Sequence, residues 1–81
     1  MVGEAIKLTL EDVIKKLVRH GEVARADGEG NNVTVTWNGS IGFEERFGIL
    51  RSLLPGTIYT KSHFEYRQNG TIYNIRDNLT S

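Results

Sequence analysis

The sequence predicts a single α+β domain over residues 1–81, with two helices packed on one face of a mainly antiparallel four-stranded sheet. Three observations predict this class. Two segments carry apolar residues at helical spacing, two others alternate apolar and polar residues, and an Asn-Gly pair lies within the second alternating segment. The predicted order of elements is αββαββ.

The first helix is predicted to begin after Thr9. Thr9 is placed as the N-cap and Asp12 as the third helical residue, an acidic variant of the capping box. The apolar residues that follow form one stripe: Leu10, Val13, Ile14, Leu17 and Val18. Gly21 is the expected C′ residue, because glycine accepts the left-handed conformation that ends many helices.

The residues before this helix leave a second topology open. The segment from Glu4 to Leu8 alternates weakly. If it is a strand, the order becomes β-α-β-β-α-β-β, a ferredoxin-like pattern with one extra strand.

A first hairpin is predicted between Glu22 and Asn38. In its second strand, alternate residues are predicted to face the core: Val33, Val35 and Trp37. A four-residue loop from Gly28 to Asn31 would place Ala24 and Ala26 beside the valines, whereas a three- or five-residue loop would place Val23 and Arg25 there. We favour the alanines, since small residues let a helix lie close to the sheet.

A second helix is predicted to follow, capped by Ser40. Its apolar stripe consists of Phe43, Phe47, Leu50 and Leu54. Pro55 ends it, and because the residue before proline is disfavoured in a helix, Leu53 or Leu54 is the expected last helical residue.

The stretch from Thr57 to Asp77 is predicted to form one long hairpin about Asn69-Gly70. Both central residues of a type I′ turn need positive φ, which Asn and Gly accept at low cost. The resulting register pairs core-facing residues: Tyr66 with Tyr73, Phe64 with Ile75, Ser62 with Asp77, and Thr60 with Leu79.

The other face of this hairpin is the predicted partner-binding surface. Its side chains combine cations, an amide, an acid and one aromatic ring: Tyr59, Lys61, His63, Glu65, Arg67, Asn74 and Arg76. Sheets that hold single-stranded nucleic acid use cations and aromatic planes in this way. Tyr59 is the only aromatic residue expected on this face, and acids offset the cations, so nucleic acid is the second choice of partner.

The edge of the sheet is a further predicted interaction site. The final strand, from Thr71 to Asp77, contains no proline or lysine that would block pairing. A homodimer through this C-terminal edge strand is therefore an option that the sequence leaves open.

Catalysis, metals and cofactors are not expected. Ser62 is predicted on the opposite face from His63, so the two do not form a dyad, and no third ligand for zinc converges on His63. The loop from Asp27 to Asn32 has oxygen ligands at alternate positions but lacks the glycine and glutamate of an EF-hand.

Composition indicates a cytoplasmic protein. The formal net charge is +0 and there is no cysteine, so the sequence predicts neither a long-range field that attracts nucleic acid nor disulfides. No membrane-spanning run and no signal peptide are recognised. The asparagines of four N-x-S/T triplets are interpreted as turn residues.

These patterns together favour a small non-enzymatic protein that binds another protein as an adaptor, inhibitor or accessory factor. The contact is expected through the polar sheet face or an exposed strand edge. The alternative is a nucleic-acid-binding module that uses the cationic positions of the hairpin: Lys61, His63, Arg67 and Arg76.

Overall fold

The computed structural model describes residues 8–79. The elements in chain order are α1 (Leu10–Val18), β1 (Val23–Glu29), β2 (Asn32–Trp37), α2 (Phe43–Leu53), β3 (Thr57–Thr60), β4 (His63–Gln68) and β5 (Thr71–Leu79). The fold is α+β with two helices, as predicted, but the order is αββαβββ. Most of the segment from Glu4 to Leu8 lies outside the described residues, and Leu8 itself belongs to neither a helix nor a strand.

The five strands form one mixed sheet in the order β1-β2-β5-β4-β3. Neighbouring strands are antiparallel except β2 and β5, which are parallel with Val33 opposite Ile75. The prediction of a mainly antiparallel four-stranded sheet was therefore wrong in strand number and in this central pair. Parallel neighbours need a long crossover, and α2 with the β3–β4 hairpin supplies it.

The predicted long hairpin is divided by an additional turn. Lys61 and Ser62 form a two-residue turn that pairs Thr60 with His63, and Lys61 takes a positive φ of 56°. The pairs of Ser62 with Asp77 and Thr60 with Leu79 were therefore wrong. The register about Asn69-Gly70 was confirmed for the other two pairs: Phe64 with Ile75 and Tyr66 with Tyr73.

The first hairpin has a shorter loop than predicted. Glu29 pairs with Asn32 across a two-residue turn, and a register shift interrupts β1 between Val23 and Arg25. Ala26 lies beside a valine as predicted, but the shorter loop pairs it with Val35. The shift buries Val23 and leaves Ala24 exposed, because an extra residue in one strand reverses the facing of the residues before it.

The start of α1 was predicted correctly, whereas its end was not. The backbone N–H of Asp12 donates to Thr9 Oγ1 at 3.2 Å, and the Thr9 N–H donates to Asp12 Oδ2 at 3.0 Å. The C-cap is Arg19, and Gly21 does not take positive φ. Instead, the N–H of Glu22 donates to His20 Nδ1 at 3.1 Å, so a side chain organises this turn.

Helix α2 begins without a side-chain cap. Its N-cap is Gly42 rather than the predicted Ser40. The last helical residue is Leu53, as predicted, and the N–H of Leu54 still donates to the carbonyl of Leu50 at 2.7 Å.

Both helices cover the same face of the sheet and enclose one core. Its fully buried side chains are Trp37, Phe64, Leu17, Leu50, Leu54, Ile75, Val13, Val33 and Val35. The Nε1 of Trp37 is buried without a hydrogen-bond partner among the described residues, so packing alone holds this ring. Neither described helix is long and apolar enough to cross a bilayer.

Candidate binding surface

The second face of the sheet is covered by no described element and is called the open face here. Strand pairing brings β2, β5 and β4 together across it, with Asn32 beside Asn74 and Asn74 beside Glu65. Five of the seven predicted residues lie together at its centre: His63, Glu65, Arg67, Asn74 and Arg76. Lys61 lies at the tip of the β3–β4 turn, next to this group.

An ion-pair network is built along β4. Glu65 Oε1 accepts hydrogen bonds from Arg67 Nη2 at 2.9 Å and from Arg67 Nε at 3.2 Å. Glu65 Oε2 lies 3.2 Å from His63 Nε2. The hydrogen bonds from Arg67, with a further contribution from His63, hold the pKa of Glu65 below its ordinary value. Alternate residues of one strand share a face, so the strand itself aligns the three groups.

Two side chains of this network are largely buried, which restricts their movement. The side chains of His63 and Glu65 are only 16% and 15% exposed, whereas that of Arg67 is 56% exposed. The carboxylate is thus fixed between a shielded imidazole and a solvent-exposed guanidinium. Such an arrangement presents donors to a partner with little additional ordering on contact.

The side chains of Arg76 and Asn74 carry polar groups next to the network that are available to a partner. Neither side chain has a hydrogen bond or ion pair within residues 8–79, and Arg76 is exposed. An unpaired guanidinium with a planar fork of donors suits a carboxylate from another molecule.

Tyr59 does not lie on this face, contrary to the prediction. The turn at Lys61-Ser62 pairs Tyr59 with Phe64 and places both on the helix side of the sheet. The ring centroid of Tyr59 is 4.8 Å from that of Phe43 and 5.1 Å from that of Phe64. Within the described part of the chain, no Tyr, Phe or Trp side chain lies on the open face.

The first hairpin also contributes residues to the open face. Thr34 of β2 lies beside Arg76, and a shallow concavity of about 290 Å³ lies along β1 and β2, lined by Asp27, Gly28, Glu29, Asn32 and Thr34. Alternation of residues within β2 was visible in the sequence, but its pairing with β5 was not. Among residues 8–79, no three His, Asp or Glu side chains are placed to hold a metal ion.

The free edges of the sheet differ from those expected. Strand β5 is hydrogen-bonded on both sides, to β2 and to β4, so it does not offer the edge predicted for a homodimer. The edges are β1 and β3. Two apolar side chains of β3 and one beside it are partly solvent-exposed: Ile58 at 37%, Tyr59 at 44% and Phe43 at 40%.

Comparisons with known protein families, with curated proteins and with solved structures find no match to this chain. The exposed surfaces of the fold are therefore the basis for inferring what it does.

Proposed function

We propose that this chain is a small, cytoplasmic, non-enzymatic protein-binding module, an adaptor, inhibitor or accessory factor, that contacts its partner through the open face. One observation carries the proposal. An uncovered sheet face holds the ion-paired Glu65 opposite Asn74, and on the same face of β5 lies Arg76, whose guanidinium has no partner in the described residues.

The partner expected from this chemistry is a protein surface that presents carboxylates. Arg76 can donate hydrogen bonds to one such carboxylate. Lys61, at the edge of the face, offers a second cation. The side chain of Asn74, two residues before Arg76 on the same face of β5, supplies both a donor and an acceptor. Because a strand holds Asn74 and Arg76, less conformational entropy is lost on binding than with flexible loops.

Nucleic-acid binding through Lys61, His63, Arg67 and Arg76 is the second candidate, and it has less support. Arg67 and His63 are both engaged by Glu65, which reduces the charge available to phosphates. Tyr59, the ring expected to stack on a base, faces the helices instead. A formal net charge of +0 also provides no general attraction to a polyanion.

Substitution of Arg76 tests the proposal. Arg76→Glu is expected to abolish retention of the partner in a pull-down from the source cell, since a repulsive charge then meets the partner's carboxylates. Arg19→Glu is the matched control, because Arg19 is also exposed but follows α1, away from the open face. Equal retention of the same protein by wild type and both variants would exclude this face.

The same purified variants separate the two candidate functions. A partner that is a protein should stay bound after nuclease treatment. A partner that is nucleic acid should instead be lost, and its affinity should fall steeply with added salt.

A further inference from the structure

Two apolar side chains lie on the open face, next to its ion-pair network. Ile58 of β3 is opposite Glu65, and Ile72 of β5 is opposite Arg67. Residues directly opposite each other on neighbouring strands share a face of the sheet, so both isoleucines point away from the helices. Both side chains are partly solvent-exposed and are therefore accessible to another molecule.

The register fixes where the two isoleucines lie relative to the network. They are on either side of β4, two strands apart, and are displaced by two residues along the strands. With strands about 4.8 Å apart and a rise of about 3.4 Å per residue, the Cα atoms of Ile58 and Ile72 are about 12 Å apart. The line that joins them passes between Glu65 and Arg67 of β4, so the ion pair forms the floor between two apolar positions.

The accessible charges in this part of the open face are cationic. Arg67 is largely exposed, whereas the Glu65 side chain that it binds is largely buried. Arg76 is exposed and has no partner in the described part of the chain. Among the described strands, the other acids on this face, Asp27 and Glu29, lie on β1, on the far side of β2 and β5. The surface around the isoleucines is therefore complementary to an apolar segment that carries carboxylates.

An α-helix fits this surface better than an extended segment does. Strands β4 and β5 are both paired on both sides, so an extended segment laid on the open face would find no free backbone groups to pair with. Side chains alone must make the contact. Residues i and i+7 of a helix lie on one face about 10.5 Å apart, which is close to the separation of the two isoleucines. Helices α1 and α2 pack on the other side of the same sheet in this layered manner.

We propose that the isoleucine patch, formed by Ile58, Glu65, Arg67, Ile72 and Arg76, binds an amphipathic α-helix of the partner protein. This inference rests on the proposed function, because it specifies the partner of the same face. Apolar residues of the helix at i, i+3 or i+4, and i+7 lie along the line between the isoleucines. Acidic residues on one flank of the helix accept hydrogen bonds from Arg76, which lies to one side of that line.

Selection from a phage-displayed library of random peptides, about 16 residues long or about 24 Å as a helix, tests the proposal on the immobilised wild-type protein. The recovered peptides should share apolar residues at i, i+3 or i+4, and i+7, with Asp or Glu on one flank. A synthetic copy of a recovered peptide should gain helical circular dichroism on binding. Apolar residues that recur at i and i+2 would indicate an extended ligand. That result, or a library that yields no binder, would overturn the inference.

Variants of the two isoleucines locate the contact. Ile58→Thr and Ile72→Thr should each weaken binding of a recovered peptide about fivefold, because each removes apolar surface from the contact while a β-branched residue stays in the strand. Val18→Thr is the matched control, since Val18 is also exposed but ends α1 on the other side of the sheet. Isothermal titration calorimetry measures the affinities, and circular dichroism verifies that each variant is folded. Unchanged affinity in both isoleucine variants, or an equal loss in all three variants, would contradict the assigned patch.

The natural partner separates failure of this inference from failure of the proposed function. Ile58→Thr and Ile72→Thr should reduce its retention in the pull-down, as Arg76→Glu does. If Arg76→Glu abolishes retention and the isoleucine variants leave it unchanged, the open face binds a protein in another way and only the inference fails. If Arg76→Glu also leaves retention unchanged, the proposed function itself fails.

Discussion

Glu65 organises the open face through contacts within its own strand. The carboxylate receives hydrogen bonds from Arg67 and lies next to His63, and these contacts lower its pKa below the ordinary value of 4.5. A carboxyl group whose pKa is lower in the folded state stabilises the fold at pH above its unfolded pKa. That contribution is lost as the pH falls through the folded pKa.

Glu65→Gln should therefore destabilise the protein in a pH-dependent manner. We expect the variant to have a lower free energy of unfolding than wild type at pH 7, since it cannot carry the charge that Arg67 stabilises. The difference should shrink at pH values below the folded pKa, where wild-type Glu65 is also neutral. Urea unfolding of both proteins at several pH values measures this, and a difference independent of pH would contradict the assigned network.

The sequence predicted the grouping of His63, Glu65 and Arg67 because side chains alternate along a strand whatever the strand pairs with. It did not predict the position of Tyr59. That position depends on the turn at Lys61-Ser62, which contains no glycine although Lys61 takes positive φ. A turn without its usual residues leaves little signal in the sequence.

Two side chains of helix α1 lie directly against a glycine of β1. A Cβ built at Gly28 would lie 2.8 Å from the terminal methyl carbons of both Ile14 and Leu10. The sequence predicted that small residues in β1 would let a helix lie close to the sheet, but the residues proposed for this were Ala24 and Ala26. The register shift exposes Ala24, so Gly28 provides the closest approach.

Gly28→Val should consequently destabilise the fold by overpacking, by about 1–3 kcal/mol. Gly21→Val is the control, because Gly21 has open space around its Cβ position and no positive φ; its effect should stay within about 0.5 kcal/mol. Chemical denaturation compares the two variants. Equal effects at both positions would show that α1 does not pack on β1 in this way.

Helices were predicted better than strands for a physical reason. The capping box at Thr9, the apolar stripes and the stop before Pro55 are local signals. Each depends on residues within a few positions of one another. Strand pairing depends on contacts across the whole chain, and alternation alone does not identify the partner strand.

The arrangement of the whole molecule follows from the parallel pairing of β2 with β5. This pair places β5 inside the sheet and joins the polar residues of both halves into one open face. The sequence predicted α+β and two helices on one face, but a central parallel pair requires knowledge of the long crossover. The open face as a single surface depends on this topology.

Nuclear Overhauser contacts between backbone protons of β2 and β5 test the topology most directly. We expect contacts that connect Val33, Thr34 and Val35 with Ile75, Arg76 and Asp77 in parallel register, together with antiparallel contacts between β3 and β4. Contacts of β5 with β4 alone, together with rapid exchange of the β5 amides that face β2, would contradict this topology. Strand β5 would then be an edge, and the open face would not exist as described.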